Sequence, residues 1–188
     1  VKALGEQTAE VPKLLGQRVE GLHPIKDGTA YELELSTGKT IRAEAVVFAT
    51  PAYVTASVLK LQHATLADLL DGIPYASTIV VALGFHEGAI QRPMNGYGFL
   101  VPRVEGRALR AVTWSSSKWM HRSPTGLSLI RCYLGGIGKE VLMNLTDQEV
   151  LNVVTTELGE MMALKARPVF VRIYRWPRAM PQYIVGHM

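Results

Sequence analysis

The segment Gly135-Gly136-Ile137-Gly138-Lys139-Glu140 is where phosphate chemistry would be sought first. A phosphate loop needs a Ser or Thr after its lysine, to reach a metal ion. Glu140 stands there instead, a charge that repels phosphate, and the loop's first glycine would fall on Tyr133. As a dinucleotide fingerprint the segment gives Gly136-x-Gly138-x-x-Val141, where close helix packing asks for Gly or Ala at the last position. A turn after a strand is the expectation. The histidines His23, His63, His86, His121 and His187 show no metal-ligand spacing and are expected as surface or capping residues. Ser115-Ser116-Ser117 lacks the flanking glycines of a nucleophile elbow and predicts a polar turn. No pair of carboxylates stands out for acid–base work. The single cysteine, Cys132, lies in an apolar run and is expected to be inert core. One cysteine allows no disulfide within the chain, so a reducing compartment is the default.

Two segments are less generic. In Ala45-Val46-Val47-Phe48-Ala49-Thr50-Pro51-Ala52 a continuous apolar run, suited to a strand buried on both faces, ends in Thr-Pro. The stretch Arg175-Trp176-Pro177-Arg178-Ala179-Met180-Pro181-Gln182-Tyr183-Ile184-Val185-Gly186-His187 combines two prolines with three aromatic or imidazole rings. It predicts a loop, either a rigid crossover between elements or a wall beside a flat ring system.

The elements that must carry these residues alternate between sheet and helix. Residues 17–43 suggest an antiparallel hairpin or meander: Tyr31, Leu33 and Leu35 alternate with Glu32, Glu34 and Ser36 at strand period, and Ser36–Lys39 reads as a turn. Pro51 can open a helix over 52–61, and a second short helix covers 64–70. Strands are expected at 77–85, 98–101, 108–114 and 127–134, with Gly and Pro at the joins. Thr146-Asp147-Gln148-Glu149 is a capping box, followed by Val150, Val153, Val154, Leu158, Met161 and Met162 at helical spacing. Val169, Val171 and Ile173 alternate as a closing strand. The fold class is α+β: a mixed, largely antiparallel sheet with packed helices.

The 188 residues are 48% hydrophobic and 19% charged, an ordinary globular balance. A net charge of +4, with Lys and Arg scattered, does not make a nucleic-acid surface. An anionic small substrate or an acidic membrane surface fits this mild bias. No apolar stretch is long enough to span a membrane, and no signal peptide is visible. The chain opens on Val1 rather than Met, which suggests a fragment.

The tail from Arg175-Trp176 to Gly186-His187 resembles the signature of the protoporphyrinogen and coproporphyrinogen oxidases, in the amine-oxidase-like flavoprotein superfamily. Gly98-Phe99-Leu100-Val101-Pro102, Thr113-Trp114-Ser115-Ser116-Ser117-Lys118 and Arg131-Cys132-Tyr133-Leu134-Gly135-Gly136 match in the same order. Four collinear motifs over nearly the whole chain are far more specific than any one alone. The Thr-Trp-Ser-Ser-Ser-Lys and Met-Pro-Gln-Tyr forms look bacterial.

The resemblance implies an oxygen-dependent, FAD-linked six-electron oxidation of a porphyrinogen in haem biosynthesis. The N-terminal Gly-x-Gly-x-x-Gly and the C-terminal FAD segment are missing. The chain therefore resembles a middle-to-late portion, expected to be inactive alone and not to retain FAD. Residues 1–60 would be strands and a helix bordering the FAD-binding domain, and 61–188 the substrate-binding domain. By the same resemblance Val19 and Trp176 contact FAD, while Leu100, Thr113 and Tyr133 sandwich the macrocycle. Thr113 departs from the bulkier aliphatic of plant relatives. On a strand Leu129, Arg131 and Tyr133 share one face, so Arg131 would point into the same cleft and pair with a propionate; an Arg131 facing water beside the sheet fits as well. The expected partners are a porphyrinogen and O2, with no nucleic acid. The expected compartment is the cytoplasm. A homodimer and a peripheral association with the inner face of the cell membrane are both compatible with the resemblance. Another amine-oxidase-like flavoprotein (an amine oxidase or carotenoid desaturase) and a non-catalytic porphyrin-binding module remain alternatives.

Overall fold

The computed structural model describes residues 2–25, 28–92 and 94–187. The chain divides into two compact units, Val1–Ile73 and Pro74–Met188.

In the first unit, α1 (Lys2–Gln7) buries none of its residues, which is why no apolar stripe announces it in the sequence. Strands β1 (Val19–Pro24), β2 (Tyr31–Leu35) and β3 (Thr40–Ala43) form the expected antiparallel meander. Helix α2 (Ala52–Leu59) starts directly after Pro51, and α3 (Ala64–Asp71) follows. The meander and α2 share a small core of Leu22, Val58 and Leu59, against which Val46 and Phe48 pack. The run 45–49 corrects one expectation: it forms no strand, and Val47 is 92% exposed. Apolar side chains favour burial, but a strand exists only where a neighbour satisfies its backbone N–H and C=O groups. Among the described residues no strand pairs with this run.

The second unit is a five-stranded sheet with one long helix. Strands β4 (Tyr75–His86), β5 (Gly98–Leu100), β6 (Leu109–Trp114), β7 (Leu127–Gly135) and β8 (Phe170–Pro181) stand in the order β5-β6-β7-β4-β8. Every neighbouring pair is antiparallel. Side chains alternate between two faces. Ile79, Val81, Leu83 and Phe85 of β4, Val112 of β6, and Ile130, Cys132 and Leu134 of β7 turn to one face and are almost wholly buried. Against them packs α5 (Asp147–Met162), whose Val150, Val154, Leu158 and Met162 recur at helical spacing. Each of these side chains contributes about 1.5–3 kcal/mol by leaving water. The capping box at Thr146 is formed in both directions: Thr146 Oγ1 accepts from the Glu149 N–H, and Glu149 accepts from the Thr146 N–H at 2.7 Å. Glu157 fixes the helix to the sheet by accepting from the N–H groups of Ala108 and Leu109 at 2.8 and 2.9 Å.

The tail departs from the expected loop. Strand β8 runs on to Pro181, through Trp176 and Pro177. Proline is tolerated because β8 is an edge strand, where one side of the backbone needs no partner. A bulge absorbs the misfit: Trp176 pairs with Thr78 but Met180 with Ala76, and Arg178, between them, has φ +44°. The Arg178 N–H donates to Ser77 Oγ at 3.1 Å. The serine triplet is also more ordered than a turn: α4 (Ser115–Lys118) is a single helical turn, with Ser115 buried. The Gly135-Gly136 segment ends β7 in a turn, as expected. No helix among the described residues is long and apolar enough to cross a membrane.

Candidate functional site

Helix α5 covers one face of the larger sheet, and the other face carries the residues of interest. Register places Leu100 opposite Ala111, Ala111 opposite Tyr133, Tyr133 opposite Val80, and Val80 opposite Tyr174. Directly opposed residues share a face, so these five form one row across all five strands. The next row runs Gly98, Thr113, Arg131, Ala82, Arg172. Trp176 lies on the same face, opposite Thr78. Leu100 is 81% exposed, Trp176 52% and Tyr174 50%. A flat apolar surface with aromatic rings and two arginines is thus left open, while α5 covers the other side. Of the residues singled out from sequence, Leu100, Thr113, Arg131, Tyr133 and Trp176 come together here. Val19 belongs to the first unit, where it opens β1 at a bulge (Val19 opposite Leu35, Gly21 opposite Glu34) and packs beside Leu22.

The alternation expected on β7 is present: Leu129, Arg131 and Tyr133 are half-buried on the open face, and Ile130, Cys132 and Leu134 are buried behind it. Burial alone pushes the Cys132 thiol upward, so it stays protonated and unreactive.

Two clefts lie along β7. One, about 260 Å³, is lined by Arg131, Arg122, Trp119, Leu129 and Ser115. Lys118 Nζ stands 4.7 Å and the Arg122 guanidinium 6.0 Å from the Trp119 ring. The buried Ser115 Oγ has no hydrogen-bond partner among the described residues. The other, about 320 Å³, lies toward Gly135, with Tyr133, Ala111, Thr78, Met180, Arg103 and Arg110 in its wall. Among the described residues no carboxylate lines either cleft. Both are suited to anions held beside an apolar plate.

Sequence reasoning missed Arg110, Arg122, Tyr174 and Arg172. Arg110 defeats a simple parity argument because β6 bulges there. Leu109 pairs with Leu134 and Ala111 with Tyr133, so Arg110 is the extra residue. Arg172 and Tyr174 alternate with Val171 and Ile173 on the expected closing strand, and only the register with β4 shows that they face the same side as Tyr133 and Arg131.

The site thus lies on an antiparallel sheet that is open on one face and covered by a helix on the other. Residues 1–187 match the model of the flavin containing amine oxidoreductase family, and the chain belongs to that family. Within it, coproporphyrinogen III oxidase of Bacillus subtilis (strain 168) is 36% identical over 160 residues, covering 85% of this chain and 34% of that protein. Coproporphyrinogen III oxidase of Staphylococcus aureus is 40% identical over 121 residues, 64% of this chain and 26% of the relative. The chain therefore spans about a third or less of the length of these relatives. A provisionally assigned protoporphyrinogen oxidase from Exiguobacterium sp. 255-15 superposes with a TM-score of 0.81 at 24% identity, covering 99% of this chain and 40% of that one. Cyclohexylamine oxidase from Brevibacterium oxydans superposes at 0.67 and 16%, over 87% and 37%. At such identities the two structures speak for the fold alone.

Proposed function

We propose that this chain is part of an oxygen-dependent, FAD-linked porphyrinogen oxidase of haem biosynthesis, and that the open face of its larger sheet holds the macrocycle. The observation that carries this reading is the row Leu100, Ala111, Tyr133, Val80, Tyr174, with Thr113 and Arg131 in the row beside it. A porphyrinogen is broad, apolar and edged with carboxylates. An apolar plate flanked by arginines complements it. The relatives named coproporphyrinogen III oxidase support the same reading.

In this reading Leu100, Thr113 and Tyr133 orient the ring, and Arg131 takes a propionate. Trp176 and Val19 contact the flavin. A half-exposed indole on an open face suits a flat isoalloxazine, and Val19 sits at a bulge, a common device beside binding sites. Bound FAD would supply the acceptance of hydride and its delivery to O2. The chain's own residues position the ring, and the sheet side that it rests on is backed by the packed core under α5. Residues 1–60 border the FAD domain and 61–188 serve the substrate. The compartment is the cytoplasm, with peripheral membrane association and a homodimer as the associated states to test.

An amine substrate is cationic and would meet Arg131 and Arg172 on this face, so the amine-oxidase alternative is the weaker fit. The deciding experiment gives the FAD-loaded full-length protein coproporphyrinogen III, protoporphyrinogen IX and a primary amine in air, following porphyrin fluorescence and H2O2. Porphyrin formation with matching H2O2 is expected. Oxidation of the amine alone would reject the reading.

A further inference from the structure

We propose that the cleft between Tyr133 and Arg110 is a second carboxylate subsite, separate from the Arg131 cleft, with Arg110 as its donor. Arg110 Nη1 is buried and has no hydrogen-bond partner among the described residues. A guanidinium does not lose its proton in proteins, and a donor shut away from water without a partner is costly, so Nη1 calls for an acceptor, best an anionic one. The cleft offers no anion: its charged lining consists of Arg110 and the exposed Arg103. The bulge at Leu109–Ala111 aims Arg110 into the cleft beside Ala111, where strand parity alone would send it toward α5. Gly135 completes the wall. At φ +102°, with Ser77 O only 2.7 Å from where a Cβ would stand, no larger residue lets the strand end close this tightly.

The two clefts meet different parts of β7, Leu129 and Arg131 in one, Tyr133 to Gly135 in the other. At roughly 3.3 Å per residue they lie about 10–13 Å apart along the strand. One tetrapyrrole lying on the Tyr133 row can reach both with side-chain carboxylates at different edges. Resting on the porphyrinogen reading, this geometry favours a four-carboxylate substrate such as coproporphyrinogen over one that has vinyl groups at two of those positions.

The test uses the full-length protein and its Arg110→Met and Arg110→Lys variants. Fluorescence titration would measure Kd for coproporphyrin III, protoporphyrin IX and coproporphyrin tetramethyl ester. Arg110→Met is expected to weaken coproporphyrin III about 10- to 100-fold, the range for losing a charge-assisted hydrogen bond. The ester's affinity should not change, and Arg110→Lys should keep part of the loss from appearing. The Tm of Arg110→Met should hold or rise, because an unmet buried donor is removed; a purely structural arginine would lower it. Equal coproporphyrin affinity in wild type and Arg110→Met overturns the subsite and leaves the porphyrinogen reading standing. If the wild type binds no porphyrin, that reading falls instead, and 2-naphthoate against 2-naphthamide decides the subsite. A preference for the acid that vanishes in Arg110→Met keeps it; no preference removes it.

Discussion

Gly98→Ala tests how the open face is built. Gly98 has φ +138° and lies opposite Thr113, and a Cβ there would stand 2.0 Å from the Val112 carbonyl oxygen and 2.9 Å from the Thr113 Cα. Both are backbone atoms, so no side-chain rotation relieves the overlap. Strand β5 must therefore leave β6, losing the pairs Gly98–Thr113, Phe99–Val112 and Leu100–Ala111. Two or three backbone hydrogen bonds at about 1 kcal/mol each, added to about 1–3 kcal/mol for the disfavoured φ, give a loss of about 3–6 kcal/mol. Calorimetry should show Tm falling by about 6–24 °C, and urea unfolding a lower midpoint at unchanged m. Because Leu100 moves with β5 and leaves its place beside Ala111, the KM for porphyrinogen should rise in the same variant. An unchanged Tm with an unchanged KM would refute the placement of β5 against β6.

Three further outcomes are expected. Arg131→Ala should raise KM for a four-carboxylate substrate by up to about tenfold, with kcat little altered; the half-exposed setting keeps the effect at the low end for a charge-assisted pair. The Glu149 carboxyl is held below its ordinary value, first by the Thr146 N–H and then by the Thr146 hydroxyl, against a small opposing effect of burial. A depressed carboxylate adds stability that is present above its unfolded pKa of about 4.3 and is lost as pH falls through the lower folded value. Wild type minus Glu149→Gln, in urea midpoints from neutral to acid pH, should shrink over that window; a flat difference would count against the capping box. Cys132 should resist thiol reagents in the native protein and react once urea unfolds it.

Periodicity made most of the larger unit legible. The capping box at Thr146 and the spacing Val150, Val154, Leu158 mark α5 because both signals are local. The parity of Leu129, Arg131 and Tyr133 located the open face of β7 for the same reason. What escaped is decided by partners far along the chain. Residues 45–49 carry strand composition without a pairing neighbour among the described residues, whereas Trp176 to Pro181 carry loop composition and still pair with β4. Arg110 was invisible because a bulge, which no alternation pattern encodes, turns it into the cleft. Leu100, Thr113, Tyr133 and Trp176 were candidates by motif resemblance and Arg131 by strand parity; the structure adds that these five share one face.

The sheet order has a consequence in time. Strand β4, with the fully buried Ile79, Val81, Leu83 and Phe85, takes β8 on one side, and that partner lies roughly a hundred residues further along the chain. On a ribosome adding about 5–20 residues each second, this edge waits roughly 5–20 s for it. Strand β7 arrives earlier, but it occupies only the other edge. A nascent chain therefore presents an unpaired, strongly apolar strand for seconds, open to pairing with neighbouring chains. Yield on expression should accordingly depend on translation speed and chaperone supply between β4 and β8, even though the finished sheet closes that edge with Pro177 and Pro181.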